Sequence, residues 1–419
     1  MPDIASKSFS PLTRWIQMAL GLIAMMSISS PQYVWTLFVA PFQQATGASL
    51  PAIQVTFSLL VVLQTWLAPL QGWLVDRFGP KFLIAFGAGL TGLGFVLSAG
   101  ASSTFTLYLA YGALCGFGSG IVYIGVVGLM VRWFPDRRGF AVGMVAAGYG
   151  VGAILTTIPI DSMLRTSGHQ ATLYTFGLLL GAIGICAGLA LRAPRPEETA
   201  ARIALAPQAR SIADYSPRQM LGTPIFWLMF LMMTMMSTGG LMVVSQFGPV
   251  MRDFGIADAA IAGMAALPLA LSLQRVANGV TRPFFGWVSD VMGRENTMFA
   301  AFGLEAVAVF VMLLTRDNPA LFAIMSGVVF FGWGEIFSLF PSTLTDTFGT
   351  KNATTNFGFL YIAQGVGALF GGPFAALMHD TLGSWYPVFY LIIALDALTA
   401  ALALFALKPM RAAFLQSHR

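Results

Sequence analysis

Residues 72–79 read GWLVDRFG and residues 286–293 read GWVSDVMG, so the two stretches share a Gly-Trp start, a central Asp and a final Gly. They lie 214 positions apart (286 minus 72). The same offset, or one residue more, aligns further pairs: Gly118 with Gly332, Phe134 with Phe348, and residues 150–153 with 365–368. Chance can match one glycine pair, but a constant offset over this length indicates two homologous halves.

The composition excludes a soluble domain. Apolar residues of the set AVILMFWYC make up 57% of the 419-residue chain and charged residues 9%, against about 25% charged in typical soluble domains. The formal net charge is +5, but Lys and Arg are scattered singly between apolar blocks, unlike the clustered basic face that binds nucleic acid. The sequence therefore predicts an integral membrane protein without a nucleic-acid partner.

Twelve apolar segments are long enough to cross a bilayer, because a hydrocarbon core of about 30 Å needs about 20 helical residues. They are residues 14–40, 51–75, 81–100, 104–132, 138–162 and 170–192, and, after a polar stretch, 223–251, 258–290, 296–315, 318–346, 353–379 and 384–408. We therefore expect an all-α membrane protein with two six-helix bundles, residues 1–192 and 223–419, joined by a linker at 193–222.

The distribution of Lys and Arg predicts the orientation. With both termini in the cytoplasm, seventeen basic residues lie inside and three outside, a strong positive-inside bias. The inside residues are Lys7, Arg14, Arg77, Lys81, Arg132, Arg137, Arg138, Arg192, Arg195, Arg202, Arg210, Arg218, Arg294, Lys351, Lys408, Arg411 and Arg419; the outside residues are Arg165, Arg252 and Arg316. The linker is then cytoplasmic, and the two remaining arginines, Arg275 and Arg282, lie within the eighth span.

The repeated stretch carries a family resemblance. Residues 72–81, GWLVDRFGPK, resemble the loop between helices 2 and 3 of the major facilitator superfamily, and its weaker copy corresponds to the loop between helices 8 and 9. Asp76 and Asp290 each end a span at the cytoplasmic face, where a carboxylate can accept hydrogen bonds from the first turn of a neighbouring helix and from Arg77 or Arg294. We expect these residues to form a latch that holds one conformation shut; the alternative is a capped turn.

Five further stretches narrow the resemblance. Residues 31–37 (PQYVWTL), 132–139 (RWFPDRRG), 146–150 (AAGYG), 278–284 (NGVTRPF) and 340–343 (FPST) are similar to the bacterial oxalate/formate antiporter family and its monocarboxylate-transporting relatives. This resemblance implies a transporter in the bacterial inner membrane. It also implies a small carboxylate bound between the two bundles and moved by alternating access, with protons or a counter-anion as the coupled species.

Two arginines in the eighth span are the candidate anion site. An arginine at bilayer depth costs about 2.5–3.5 kcal/mol or more, so it usually serves function. Arg275 and Arg282 are seven residues apart, which places both on one helix face. The resemblance assigns substrate carboxylate binding to Arg282, whose planar fork pairs both oxygens, with Asn278 one turn away. The alternative for either arginine is an ion pair that holds helices together.

The sequence departs from the oxalate exchanger at Gln364, where the resemblance places a lysine. One fixed positive charge fewer favours a monoanion such as formate, lactate or a 2-hydroxy acid. Arg275 would restore the second charge from another helix, so an oxalate/formate-type dicarboxylate exchanger stays open as the alternative.

Glu335, in the middle of the tenth span, has three possible roles. It is the counter-ion of Arg275, a carrier of a coupled proton, or a lone acid kept neutral by burial. Glu305 and Asp396 also lie within spans, but the resemblance places their helices at the periphery, and we expect no transport role for them.

Aromatic residues complete the predicted site. By the resemblance, the cavity is lined by Tyr33, Tyr123, Tyr149, Trp333, Phe337 and Tyr361. Such rings set pocket size and exclude water, although each one could instead be core packing. His169, His379 and His418 show no metal-ligand spacing, no cofactor is expected, and no nucleophile and base are paired as an enzyme would require. The sequence predicts a monomeric secondary transporter of small monocarboxylates, coupled to protons.

Overall fold

The computed structural model describes residues 12–204, 213–261 and 263–417. Of the residues used above, Lys7, Arg210, His418 and Arg419 lie outside these ranges, as do residues 205–212 of the predicted linker.

The described chain is almost entirely helical. Its α-helices are α1 Leu12–Ser27, α2 Ser30–Tyr33, α3 Trp35–Thr46, α4 Leu50–Thr65, α5 Ala68–Phe78, α6 Pro80–Ala99, α7 Thr104–Leu107, α8 Cys115–Trp133, α9 Arg138–Ala190, α10 Pro196–Ala204, α11 Pro217–Leu221, α12 Pro224–Asp253, α13 Ala266–Met292, α14 Arg294–Leu314, α15 Pro319–Trp333, α16 Ile336–Phe348, α17 Ala353–Leu382, α18 Tyr386–Leu402 and α19 Lys408–Gln416. Wider π-helical turns occupy Tyr108–Leu114 and Ala403–Leu407. Two short strands, β1 Ala260–Ile261 and β2 Met264–Ala265, pair antiparallel before α13.

Length and hydropathy alone do not reproduce the predicted count of twelve spans. Within the described ranges, nine helices are long and apolar enough to cross a membrane, or ten with the pair α4 and α5, which is bent by 45°. The 53-residue α9 is one of the nine, but its backbone is non-helical at Gly168 (φ 77°), where the fifth and sixth predicted spans meet. The 27-residue α13 is long enough but is not among them; it carries Arg275 and Arg282.

Proline and glycine end the helices at predictable places. Pro80, Pro224 and Pro319 occupy first-turn positions, where the missing N–H costs nothing. The tenth span is broken at Gly334 and Glu335, because α15 ends at Trp333 and α16 begins at Ile336. The polar residue Glu335 therefore lies at an interruption within a membrane-spanning segment.

The two halves pack closely at the end that carries the repeated loops. Gly139 of α9 lies against Gly286 of α13, and Gly143 lies against the carbonyl of Arg282, so neither contact leaves room for a Cβ. The pair α5 and α17 packs in the same way, with Gly72 against the carbonyl of Thr354. Buried apolar residues of α8 and α9 form one continuous core with those of α13, α16 and α17.

The halves diverge toward the other end. Gly150 lies two turns beyond Gly143 on the same face of α9, and Gly279 lies two turns from Gly286 on the same face of α13. A Cβ added at Gly150 or at Gly279 would have no atom within 4 Å. A cleft therefore opens between the halves just beyond Arg282.

Candidate functional site

Arg282 lies where the closed interface ends and the cleft begins. Its side chain is buried, with the residue 4% exposed. Nη1 donates to the carbonyl oxygen of Ala146 in α9 at 2.6 Å, and Nη2 donates to Oδ1 of Asn278, one turn away, at 2.9 Å. The guanidinium therefore bridges the two halves, and helical spacing explains why Asn278 reaches it.

The positive charge of Arg282 is held by neutral groups. In the described part of the chain, Arg282 forms no ion pair with an acidic residue, and its buried Nε has no hydrogen-bond partner. Its Cζ lies 4.6 Å from the ring centroid of Phe337, so the ring face stabilises the cation in part. A buried cation without a counter-charge is costly, and a bound anion would compensate it.

Four aromatic rings from both halves form a cluster that includes Phe337, the ring over which this guanidinium lies. Tyr123 in α8 stacks on Tyr361 in α17, with centroids 5.1 Å apart, and meets Tyr149 in α9 edge-on at 5.7 Å. Tyr123 also contacts Phe337 in α16 at 6.4 Å. Tyr33 contacts Tyr149 at 5.6 Å and is 37% exposed, which places it at the rim of the cluster.

The tyrosine hydroxyls differ in what they bind. Tyr149 donates to Oε1 of Gln32 at 2.7 Å and accepts from Nε2 of Gln64 at 3.2 Å, so its hydroxyl is fully used within the N-terminal half. The hydroxyl of Tyr123 is buried and has no partner within the described ranges. Arg282 Nε and Tyr123 Oη are thus two unused donors at the centre of the site.

Gln32 and Gln64 were not predicted as site residues. Gln32 lies within the 31–37 stretch that carried the family resemblance, and that stretch was the available signal. Gln64 is a buried polar residue in an otherwise apolar helix. Its pairing with Tyr149 is a tertiary contact across 85 positions, which local spacing does not reveal.

Three predicted site residues form no hydrogen bond with Arg282 or with the tyrosines in the described part of the chain. Arg275 is exposed on the face of α13 that carries Arg282, and the described residues offer it no hydrogen bond or ion pair. Trp333 contacts Phe337 at 5.9 Å, but its indole N–H donates to the carbonyl of Met236 at 2.9 Å, away from Arg282. Gln364 is half-buried, and its Oε1 is buried without a partner.

Glu335 is fully buried, and neither of its carboxyl oxygens has a hydrogen-bond partner in the described part of the structure. It does not pair with Arg275, so the counter-ion interpretation is not supported by the geometry. Gly332, one turn before Glu335, instead lies against the Cβ of Glu305.

Each repeated loop at the closed end places an aspartate on the other half. Asp76 accepts from the backbone N–H of Thr355 at 2.8 Å, at the start of α17, and from its hydroxyl at 2.7 Å. Asp290 accepts from the N–H groups of Gly139 and Phe140 at 3.0 and 2.9 Å, at the start of α9. Both carboxylates therefore occupy helix N-termini, where the helix dipole favours a negative charge.

The arginine partners differ between the two loops. Arg294 forms an ion pair with Asp290 at 2.8 Å. Asp76 pairs with Arg132 and not with Arg77, whose guanidinium lies 5.1 Å from the ring of Trp73 on its own helix. The expected contact between Arg77 and Asp76 is therefore corrected to Arg132, because the side chain of Arg77 covers an aromatic surface instead.

Asp346 links the closed end further and was not predicted. It accepts from Arg138 of the N-terminal half at 2.6 Å and from Arg294 of its own half at 2.9 Å. Arg138 and Asp346 are 208 positions apart, so only the folded chain brings them together.

Comparison with known proteins identifies the family. The model of the Major Facilitator Superfamily matches residues 18–276 and 266–416, which together cover almost all of the chain. The chain belongs to the major facilitator superfamily. The predicted family is thereby confirmed, and so is an all-helical, multi-pass membrane transporter.

The chain is also similar to individual carboxylate transporters. It is 35% identical over 399 residues to the oxalate:formate antiporter of Oxalobacter formigenes, covering 95% of this chain and 92% of that protein. It is 26% identical over 356 residues to human monocarboxylate transporter 11, covering 80% of this chain and 70% of that protein. The first match confirms the narrower resemblance drawn from the five sequence stretches.

Solved structures of the superfamily share the fold. A proton:xylose symporter bound to 6-bromo-6-deoxy-D-glucose superposes with a TM-score of 0.70 at 13% identity, covering 94% of this chain and 96% of that one. The Escherichia coli fucose:proton symporter gives 0.69 at 16% identity, covering 94% and 98%. The major facilitator fold, predicted from the internal repeat, is therefore confirmed.

Proposed function

We propose that this protein carries a small carboxylate monoanion across the membrane, bound to Arg282 between two six-helix halves. The observation that carries the proposal is the buried guanidinium of Arg282, which lies between α9 and α13 with no acidic partner in the described chain. Its Nε and the hydroxyl of Tyr123 supply unused donors. The names of the related proteins, an oxalate:formate antiporter and monocarboxylate transporters, support the same substrate class.

The charge of the site favours a monoanion. Arg282 is the cation at the centre, and Gln364 stands where the resemblance places a lysine. Arg275 lies seven residues away, about 10 Å along the helix axis at 1.5 Å per residue. Oxalate has its two carboxylates on adjacent carbons, so both arginines are poorly placed to bind one oxalate. The alternative is an oxalate/formate-type exchanger, and the 35% identity to such a protein favours it.

The groups at the site suit binding rather than chemistry. They are one guanidinium, tyrosine hydroxyls and side-chain amides, which hold an anion but do not pair a nucleophile with a base. We therefore propose a transporter and not an enzyme, coupled to protons, with a counter-anion as the alternative.

Alternating access follows from the two ends of the interface. We propose that residues 1–192 and 223–419 rock against each other, joined by the linker at 193–222. The Asp76 and Asp290 contacts hold one end closed, while the cleft gives access to Arg282 from the other end. With both termini in the cytoplasm of a bacterial cell, as the Lys and Arg distribution predicts, this conformation faces outward. We propose that the working unit is a monomer.

Counterflow into proteoliposomes tests the proposal. Vesicles loaded with unlabelled acid are diluted into labelled lactate, formate, a 2-hydroxy acid or oxalate. We expect counterflow of the three monoanions to exceed that of oxalate. Preferred oxalate uptake would establish the exchanger alternative, and the absence of counterflow for all four acids would refute carboxylate transport.

Variants of Arg282 test the site. Charge-assisted hydrogen bonds contribute about 1.5–3 kcal/mol each. Arg282→Ala removes the two that the guanidinium would form with the substrate carboxylate, so uptake of every acid should fall by at least about 100-fold. Arg282→Lys keeps the charge but loses the fork and should show intermediate uptake. Arg165→Ala is the matched control, because it removes a cation from an exposed pair with Asp161. Wild-type uptake by Arg282→Ala would remove the assignment.

A further inference from the structure

Three buried acidic side chains project from neighbouring helices in the membrane-spanning part of the C-terminal half. Glu305 projects from α14, Glu335 from the break between α15 and α16, and Asp396 from α18. Each is 0% exposed. α14 packs against both α15 and α18, and the Cβ of Glu305 lies against Gly332, one turn before Glu335. The family resemblance implied no transport role for Glu305 and Asp396, because it placed their helices at the periphery.

Small residues create the space that these acids occupy. A Cβ at Gly332 of α15 would lie 2.7 Å from the Cβ of Glu305, and a Cβ at Gly239 of α12 would lie 3.2 Å from Oδ1 of Asp396. The acids thus point into the bundle and not toward lipid, as intramembrane acids with a function do.

All six carboxyl oxygens are buried without a hydrogen-bond partner in the described residues. The titratable or charged residues of the surrounding helices are Arg252 and Asp253 in α12; Arg275, Arg282 and Asp290 in α13; Arg294 and Glu295 in α14; Asp346 in α16; Tyr361, His379 and Asp380 in α17; and Tyr386 and Tyr390 in α18. None of them donates to the three acids. A carboxylate without a partner is very costly at this depth, so each acid needs a proton or a cationic partner, and the described residues supply no cationic partner.

A proton fits the cluster better than a metal ion. The described residues contain no group of three or more His, Cys, Asp or Glu side chains placed to hold a metal. The three acids also come from different elements: Glu305 from α14, Glu335 from the break between α15 and α16, and Asp396 from α18. The cluster therefore offers separate carboxyl groups that can each gain or lose a proton.

The break in the tenth span connects the cluster to Arg282. Gly334, directly before Glu335, packs against α13 so closely that a Cβ would meet Thr281 and the carbonyl of Asn278. Phe337, two residues after Glu335, lies under the guanidinium of Arg282. A change in the geometry of this break would therefore act on both neighbours of the arginine.

We propose that Glu305, Glu335 and Asp396 form a proton-binding site that is coupled to carboxylate binding at Arg282 through the break at Gly334 and Glu335. The inference rests on the proposed function, since it names the coupled ion of the same transport cycle. One proton moves with each monoanion, so the cargo as a whole is neutral.

Neutral isosteres test the cluster. Glu305→Gln, Glu335→Gln and Asp396→Asn each remove one ionisable group and keep its shape. For each variant, uptake of labelled lactate driven by an acidic exterior is compared with lactate counterflow in the absence of a pH gradient. We expect the ratio of driven uptake to counterflow to fall about tenfold, within the range for coupling between two sites. Thr399→Val, one turn from Asp396 and bonded to the carbonyl of Leu395, is the control and should keep the wild-type ratio.

The outcomes separate the two proposals. If the three variants lose driven uptake and counterflow in equal proportion, or lose neither, the acids are structural and the inference is overturned. Wild-type vesicles supply a measurement that does not depend on a variant folding: external lactate should make the outside medium alkaline as protons enter with it. Lactate counterflow without alkalinisation would overturn proton coupling and leave carboxylate transport intact. Failure of all carboxylate counterflow would refute the proposed function itself.

Discussion

Replacing Tyr123 by Phe should have opposite effects on stability and on substrate affinity. The hydroxyl of Tyr123 is buried and unpartnered in the described structure, and the Tyr123 ring contacts Phe337, the ring over which the guanidinium of Arg282 lies. Without substrate, the protein bears the cost of that unsatisfied donor. With a carboxylate bound, the same hydroxyl gains a charged acceptor.

The magnitudes follow from the hydrogen-bond inventory. An unsatisfied buried donor costs about 1–3 kcal/mol, so Tyr123→Phe should raise the unfolding free energy of the empty protein by that order. A hydrogen bond to a charged group contributes about 1.5–3 kcal/mol, so the Kd for lactate should rise by about 10- to 150-fold.

Tyr149→Phe is the matched control. This change removes a hydroxyl that already donates to Gln32 and accepts from Gln64. Two amide groups would lose their partner, so the empty protein should become less stable by about 1–3 kcal/mol. The Kd for lactate should change less than in Tyr123→Phe, because the hydroxyl of Tyr149 is not available to the substrate.

Thermal unfolding of the purified proteins in detergent and calorimetric titration with lactate measure the two quantities. A Tyr123→Phe protein that is less stable than wild type, with an unaltered Kd, would show that the hydroxyl has a structural partner and would refute the reasoning.

Two further predictions concern the closed end and the linker. Gly286→Ala leaves no room against the backbone of α9, so spin-label distances across the closed end should shift to longer values; an unchanged distribution would contradict the packing argument. Hydrogen bonds from Arg192 hold the pKa of Glu198 at about 2, below its usual 4.5. The depressed pKa means that this contact stabilises the docked linker helix α10 fully above pH 4.5 and loses its effect as the pH falls toward 2. Proteolysis of the linker in wild type should therefore be independent of pH between 5 and 8 but faster in Glu198→Gln, whereas equal rates would argue against the contact.

Helical periodicity was enough to predict part of the candidate site. The seven-residue spacing of Arg275 and Arg282 places both on one face of α13 in any α-helix, and the structure keeps that relation. Arg282 is buried and Arg275 is exposed because the two halves diverge between these positions. The open space beside Gly150 and Gly279 shows this divergence. That divergence is a property of how two bundles pack, which one helix does not encode.

Contacts between distant segments could not be predicted from spacing. The acceptor role of Asp76 followed from its position at a helix end, but its partner Arg132 lies in another helix and Arg77 had an aromatic surface closer at hand. Glu305 and Asp396 were given no role because the resemblance placed their helices at the periphery, and 91 positions separate them in the sequence (396 minus 305). Only the packing of α14 against α18 brings their carboxyl groups together.

The hydrogen bond between Arg282 and the carbonyl of Ala146 joins the two halves through the guanidinium that is proposed to bind substrate. A carboxylate that binds both Nη atoms of Arg282 has to displace the carbonyl of Ala146. Its binding therefore removes a hydrogen bond between the two halves. The two halves would then rock against each other more readily with substrate bound than without it. The conformational change without bound substrate would become the slowest step of the transport cycle. Carboxylate on the opposite side of the membrane would then accelerate uptake.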